Sequence, residues 1–262
     1  MSSGKHFEHR LDRTVTMNAR REAVFQYFAD SSRWSKLWGA GSTIESKPGG
    51  KIYIKYPEGT EVAGEVLEVK PPAKIVFTYG YVNGNPIPAG SSRVTIQLAA
   101  ERGATRLTLT HELDSAAVRD QHVQGWRYQL SLFSNVVADE VNAGASGAVD
   151  SWFDSWAEPD AAVREKTLAR IAAPELQFHD RYSNISGLAE LCPHIAAAQH
   201  FMPGMRMRRA GNVRHCQGTV LADFAIVGPD GVERGSGTNV FVFGATGLIE
   251  TATGFMNPPK SA

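Results

Sequence analysis

From Val118 to Val137, apolar and aromatic side chains recur every three or four residues: Val118, His122, Trp126, Leu130, Phe133 and Val137. This is one face of a helix. Continued from Ser115 to about Val141, it would be roughly 40 Å long at 1.5 Å per residue. A helix with so long an apolar stripe needs a matching surface to cover it. The residues before it supply one. Ser42–Lys47, Lys51–Tyr56, Glu61–Lys70, Lys74–Tyr81, Ser92–Ala99 and Thr105–His111 are short and rich in Val, Ile, Tyr and Thr, as strands are. Pro48-Gly49-Gly50, Pro71-Pro72 and Glu101-Arg102-Gly103 punctuate them as turns. The pattern predicts an α+β fold in which a meander of about six strands grips one long helix.

The start of the chain fits the same unit. Phe7 to Met17 alternates, with Leu11, Val15 and Met17 on one face. Asn18 is expected to cap a helix carrying Val24, Phe25 and Phe28. Trp34 and Trp38, four apart, share a side of a second short helix.

After the long helix comes Asn142-Ala143-Gly144-Ala145-Ser146-Gly147, whose small residues read as a flexible linker. It separates a domain over residues 1–142 from a second over residues 148–262. The second begins with helices: Val149–Trp156, then one started by Pro159 with Val163, Leu168 and Ile171 as its stripe. A strand is expected at Glu175–Asp180 and a third helix at Gly187–Phe201. Strands at Met205–Val213, His215–Val227, Glu233–Gly244 and Leu248–Phe255 close the chain. Its 262 residues suffice for two domains of ordinary size.

Composition narrows the function. Twenty-seven basic residues balance 27 acidic ones, which argues against a nucleic-acid partner. Two cysteines, Cys192 and Cys216, make no disulfide scaffold. No apolar run approaches the roughly 20 residues that span a bilayer, and the polar N-terminus has no signal-peptide core. A cytoplasmic protein without a membrane partner is expected. His194, His200 and His215 stand near the cysteines. However, His194 and His200 are six apart on a helix, and His215 and Cys216 alternate on a strand, so no metal site is expected. Arg206, Arg208 and Arg209 form a basic strand, read as a solvated face rather than an anion site. No phosphate-binding loop, dinucleotide fingerprint or nucleophile–base pattern is present, and no cofactor is expected.

Four segments of the first half carry a resemblance: Arg21-Glu22-Ala23-Val24-Phe25, Arg33-Trp34-Ser35-Lys36-Leu37-Trp38, Gly64 to Tyr79, and Gly125-Trp126-Arg127-Tyr128-Gln129-Leu130. With them, this half resembles the START-like (SRPBCC) superfamily. Within it, the half is most similar to the family named after the activator of the 90-kilodalton heat-shock protein's ATPase. The resemblance implies a helix-grip fold with an apolar cavity. Phe178-His179-Asp180, Gly187-Leu188-Ala189-Glu190 and Gly247-Leu248-Ile249-Glu250 through Thr253-Gly254-Phe255 make the second half resemble SnoaL-like proteins of the nuclear transport factor 2-like superfamily. That implies a cone-shaped α+β barrel.

Three functions follow from these resemblances. The first is binding of a small hydrophobic or aromatic molecule. Trp34, Trp38, Tyr53, Phe77, Tyr79, Tyr81, Trp126 and Phe133 would line the first cavity, and Trp152, Trp156 and His179 the second. The second function is isomerase, cyclase or dehydratase chemistry, in which Asp180 matches the general base of ketosteroid isomerases and Asn239 a hydrogen-bond donor. Trp152 stands where those enzymes carry a tyrosine. The third, by family name alone, is a chaperone ATPase cofactor. Val240 and Val242 face opposite to Phe241 and Phe243 on one strand. One pair must therefore need a cover outside the cone, and a homodimer is expected.

Overall fold

The computed structural model describes residues 6–258. The chain divides into two compact units, the first ending at Val137 and the second beginning at Ala138.

In the first unit, β1 (His9–Met17) is followed by two short helices, α1 (Arg21–Ala29) and α2 (Ser31–Trp38). Arg20, not Asn18, is the residue before α1, and its side chain makes no capping bond. Asp30 does cap α2, its carboxylate accepting from the backbone N–H of Arg33 at 3.0 Å. Then come β2 (Thr43–Ile44), β3 (Lys51–Lys55), β4 (Glu61–Lys70), β5 (Lys74–Tyr79), β6 (Ser92–Glu101) and β7 (Ala104–Leu113). β2 keeps only two of the six residues expected as strand. The seven strands form one antiparallel sheet in the order β1-β7-β6-β5-β4-β3-β2. Gly64 in β4 is required: a Cβ there would run into the carbonyl of Thr78 on β5.

The long helix is α3 (Ala116–Val141). Its stripe is buried as the spacing predicts, at His122, Trp126, Leu130, Phe133 and Val137. Trp126, Leu130 and Phe133 meet Phe28 of α1 and Ile96, Leu107 and Leu109 of the sheet around a gap of only about 10 Å³.

The second unit opens with α4 (Ala145–Ser155), so Ala145, Ser146 and Gly147 are helix and not linker. The reason is burial: Ala145, Val149, Trp152 and Phe153 form one apolar stripe. α5 (Ala161–Ile171) is capped by Asp160, which accepts from Ala162 and Val163 at 2.8 and 3.0 Å. Val163 is exposed rather than part of the stripe, and Arg164 is buried beside Leu168 instead. β8 (Ala172–His179), β9 (Asn184–Ser186) and α6 (Leu188–Phe201) follow, then β10 (Arg206–Cys216), β11 (Thr219–Val227), β12 (Glu233–Phe243) and β13 (Ile249–Met256). The sheet order is β10-β11-β12-β13-β8-β9, with only β13 and β8 parallel. Phe241 and Phe243 point to the core with Val220, Ala222 and Phe224, while Val240 and Val242 are half-buried on the other face. Among the described residues, no helix is long and apolar enough to cross a membrane.

Candidate functional site

The first unit holds a cavity of about 560 Å³ beside α3. Of the expected residues, Trp38, Tyr79, Tyr81 and Trp126 line it. Sequence reasoning missed Tyr56 and Gln129 there, and placed His122 only as a packing residue. The rings stand edge-on. Trp38 lies 6.0 Å from both Tyr56 and Trp126, centroid to centroid, and Tyr79 lies 5.9 Å from Tyr81.

Two histidines fix the polar side of this wall. The Trp126 indole donates to His111 Nδ1 at 3.0 Å, so the His111 proton sits on Nε2. That nitrogen donates to Ser92 Oγ at 2.8 Å, and Ser92 donates to the Tyr79 carbonyl at 2.7 Å. Burial, with His122 nearby, pushes His111 down to about 3. His122 donates from Nδ1 to the Val118 carbonyl one turn back, at 2.7 Å. Its Nε2 therefore accepts the Tyr81 hydroxyl at 3.2 Å. Burial lowers the His122 pKa and raises those of Tyr56, Tyr79 and Tyr81. Near neutral pH these groups carry no charge. Charged side chains, Lys36 and Glu58, stand exposed at the rim.

Four expected residues lie elsewhere. Trp34, Phe77 and Phe133 are core side chains outside this wall. Trp34 donates from Nε1 to the Tyr53 carbonyl at 3.1 Å. Tyr53 itself faces away from Ile52 and Ile54, which are buried, and its hydroxyl donates to Glu61 at 2.7 Å.

The depressed histidines set a pH dependence. Both unfolded histidines would take up protons near pH 6.5, and the folded ones resist. The unfolded state thus binds more protons below that pH, so stability is full above about 6.5 and falls towards the folded value near 3. Denaturant titrations between pH 7 and 4.5, above most carboxylate titration, should show the first unit losing stability steadily. A flat profile over that window would contradict the buried neutral pair.

The second unit has a cavity of about 310 Å³. Trp156, Asp180 and Asn239 line it as expected, joined by Phe178, Phe224 and a methionine set, Met202, Met205, Met207 and Met256, which the sequence reading did not single out. Gly254 on β13 separates the two polar side chains. A Cβ there would sit 3.2 Å from Asn239 Oδ1 and 3.3 Å from Asp180 Cβ. Asn239 is buried. Asp180 accepts the Tyr182 backbone N–H at 2.8 Å and donates its own N–H to Ser183 at 3.0 Å. Arg181 does not pair with it, and its guanidinium lies 5.8 Å from the Tyr182 ring.

Trp152 is off this wall. It lies fully buried beneath, 5.7 Å from Phe178 and 5.6 Å from Phe241. His179 also misses the cavity side, since Phe178 is the inward residue and strand alternation turns its neighbour away. Of the expected set, Trp156, Asp180 and Asn239 come together at this cavity, and Trp152 and His179 do not. Arg206 reaches the rim, while Arg209 forms a two-pronged ion pair with Asp150 at 2.7 and 3.1 Å. His194 bonds Ser183 Oγ at 3.0 Å, and His215 bonds Asp139 at 2.8 Å.

Residues 18–138 match the sequence profile of the family described as Activator of Hsp90 ATPase homolog 1-like protein. No curated protein matches the chain. Among solved structures, one similar chain is a SnoaL-like family protein from Agrobacterium tumefaciens, 22% identical over 43% of this chain and 96% of its own, with a TM-score of 0.41. CalU16 from Micromonospora echinospora is 20% identical over 50% of this chain and 77% of its own, with a TM-score of 0.42. The Aha1 dimer from Colwellia psychrerythraea is 14% identical over 47% and 90%, with a TM-score of 0.40. The chain thus carries, over residues 18–138, a match to the Activator of Hsp90 ATPase homolog 1-like family.

Proposed function

We propose that this protein binds a small, uncharged aromatic molecule in the cavity of its first unit. One observation carries the reading: a space of about 560 Å³ walled by Trp38, Tyr56, Tyr79, Tyr81, His122 and Trp126, whose titratable rings are all held neutral. Such a pocket offers an apolar molecule stacking surface, and penalises a charge through desolvation. The second cavity supports binding rather than turnover. There Asp180 is engaged by Tyr182, and the aromatic that would complete a catalytic set, Trp152, lies beneath the wall.

Gly125 tests the site. It is exposed on α3 at the cavity, and a Cβ there would meet nothing within 4 Å. Gly125→Leu should obstruct the cavity while raising helix propensity by about 1 kcal/mol. With naphthalene as probe, and the indole N–H signals of Trp38 and Trp126 as the readout, the wild type should bind. The variant should bind at least about tenfold more weakly, a loss of about 1.4 kcal/mol, with stability unchanged or higher. Naphthalene that moves neither indole, or that binds both proteins equally, contradicts the site.

We also propose a cytoplasmic homodimer that pairs through the outer sheet face of the second unit, where Leu221, Val240 and Val242 are half-buried. Light scattering at micromolar concentration should give twice the chain mass of 28.5 kDa, and Val242→Lys should give a monomer. A monomeric wild type would refute it.

A further inference from the structure

The hydrogen bonds of the first cavity have a direction, and the direction selects a ligand. The Val118 carbonyl carries no proton, so His122 must donate to it from Nδ1. A neutral His122 then has only a lone pair at Nε2, and the Tyr81 hydroxyl must spend its one proton there. The Tyr81 proton is thus committed inside the protein, while its oxygen keeps acceptor capacity. Tyr56 and Tyr79 share a hydrogen bond across 3.3 Å in which either hydroxyl can donate. A molecule that pairs with the Tyr81 oxygen must donate a hydrogen bond to it. It must do so without a charge, because no group opposite would compensate one.

We propose that the first cavity selects uncharged aromatic hydroxyl compounds (phenols) over the corresponding hydrocarbons, ethers and carboxylates, with Tyr81 and His122 as the specificity-determining pair. The proposal rests on the binding reading above and adds the class of ligand. A single neutral hydrogen bond contributes about 1 kcal/mol, so the selectivity should be about five- to tenfold.

Four probes separate the terms: 2-naphthol, 2-methoxynaphthalene, naphthalene and 2-naphthoate, each titrated at pH 7 and followed at the Trp38 and Trp126 indole signals. We expect 2-naphthol to bind about five- to tenfold more tightly than the ether or the hydrocarbon, and 2-naphthoate most weakly. In the double variant Tyr81→Phe/His122→Phe, which removes both the phenol oxygen and the lone pair behind it, the naphthol-to-ether ratio should fall to about one. Nitrogen-detected NMR of the histidine rings provides a measurement that needs no variant, and His122 should appear as the Nδ1–H tautomer. If 2-naphthol and its ether bind equally, or His122 carries its proton on Nε2, the direction argument is overturned and the broader binding reading survives. If none of the uncharged probes moves the indoles, both fall.

Discussion

Trp126→Ala should destabilise the first unit by about 3–5 kcal/mol, as large-to-small changes in a core do. The side chain is buried on the inward stripe of α3, between Trp38 and Tyr79. Two losses add. The ring's packing disappears, and His111 Nδ1, which accepts the indole N–H, is left buried without a donor. One feature limits the total: the void would open into the existing cavity, where water can enter. Trp126→Phe should therefore recover much of the packing but not the hydrogen bond. A loss below about 1 kcal/mol in the alanine variant would mean that the sheet does not grip the helix.

Trp152→Ala should cost the second unit at least as much, again about 3–5 kcal/mol. This indole is fully buried and does not line the cavity of about 310 Å³ in its unit. Trp156, Phe178 and Phe241 surround it at 5.6 to 6.4 Å between ring centroids. Nothing can flow into the space without repacking those rings. The indole N–H has no acceptor, so the cost is one of packing alone. We propose that the two units unfold as separate cooperative steps. Trp152→Ala should then move only the transition of the second unit, and Trp126→Ala only that of the first. In equilibrium denaturation, a shift of both transitions by either variant would contradict that division.

Local rules made much of this legible. The stripe on α3 could be read because 3.6-residue periodicity leaves few alternatives over 20 residues. Alternation set Phe241 and Phe243 on one face of their strand and Val240 and Val242 on the other, and burial in the structure shows that the phenylalanines are the inward pair. The same rule, applied to neighbours, would have removed two errors. With Ile52 and Ile54 inside, Tyr53 must point out, and with Phe178 inside, His179 must too. The linker misled because small residues serve equally in flexible chain and in tight helix packing. Only the burial of Ala145 decides between them. Tyr56 and the Tyr81–His122 bond were beyond reach for another reason. Tyr81 and His122 are 41 positions apart, and no local pattern records that a strand end and a helix turn will meet. The same holds for Asp180 and Asn239, brought together across Gly254 by strand pairing.

The central claim is that the first cavity receives an uncharged aromatic molecule. Crystals of the protein soaked with 2-naphthol test it most directly. The account predicts electron density for one naphthol among Trp38, Tyr79, Tyr81 and Trp126, with its hydroxyl on the tyrosine side. A cavity filled only by ordered water, with naphthol absent or bound elsewhere on the chain, would contradict it.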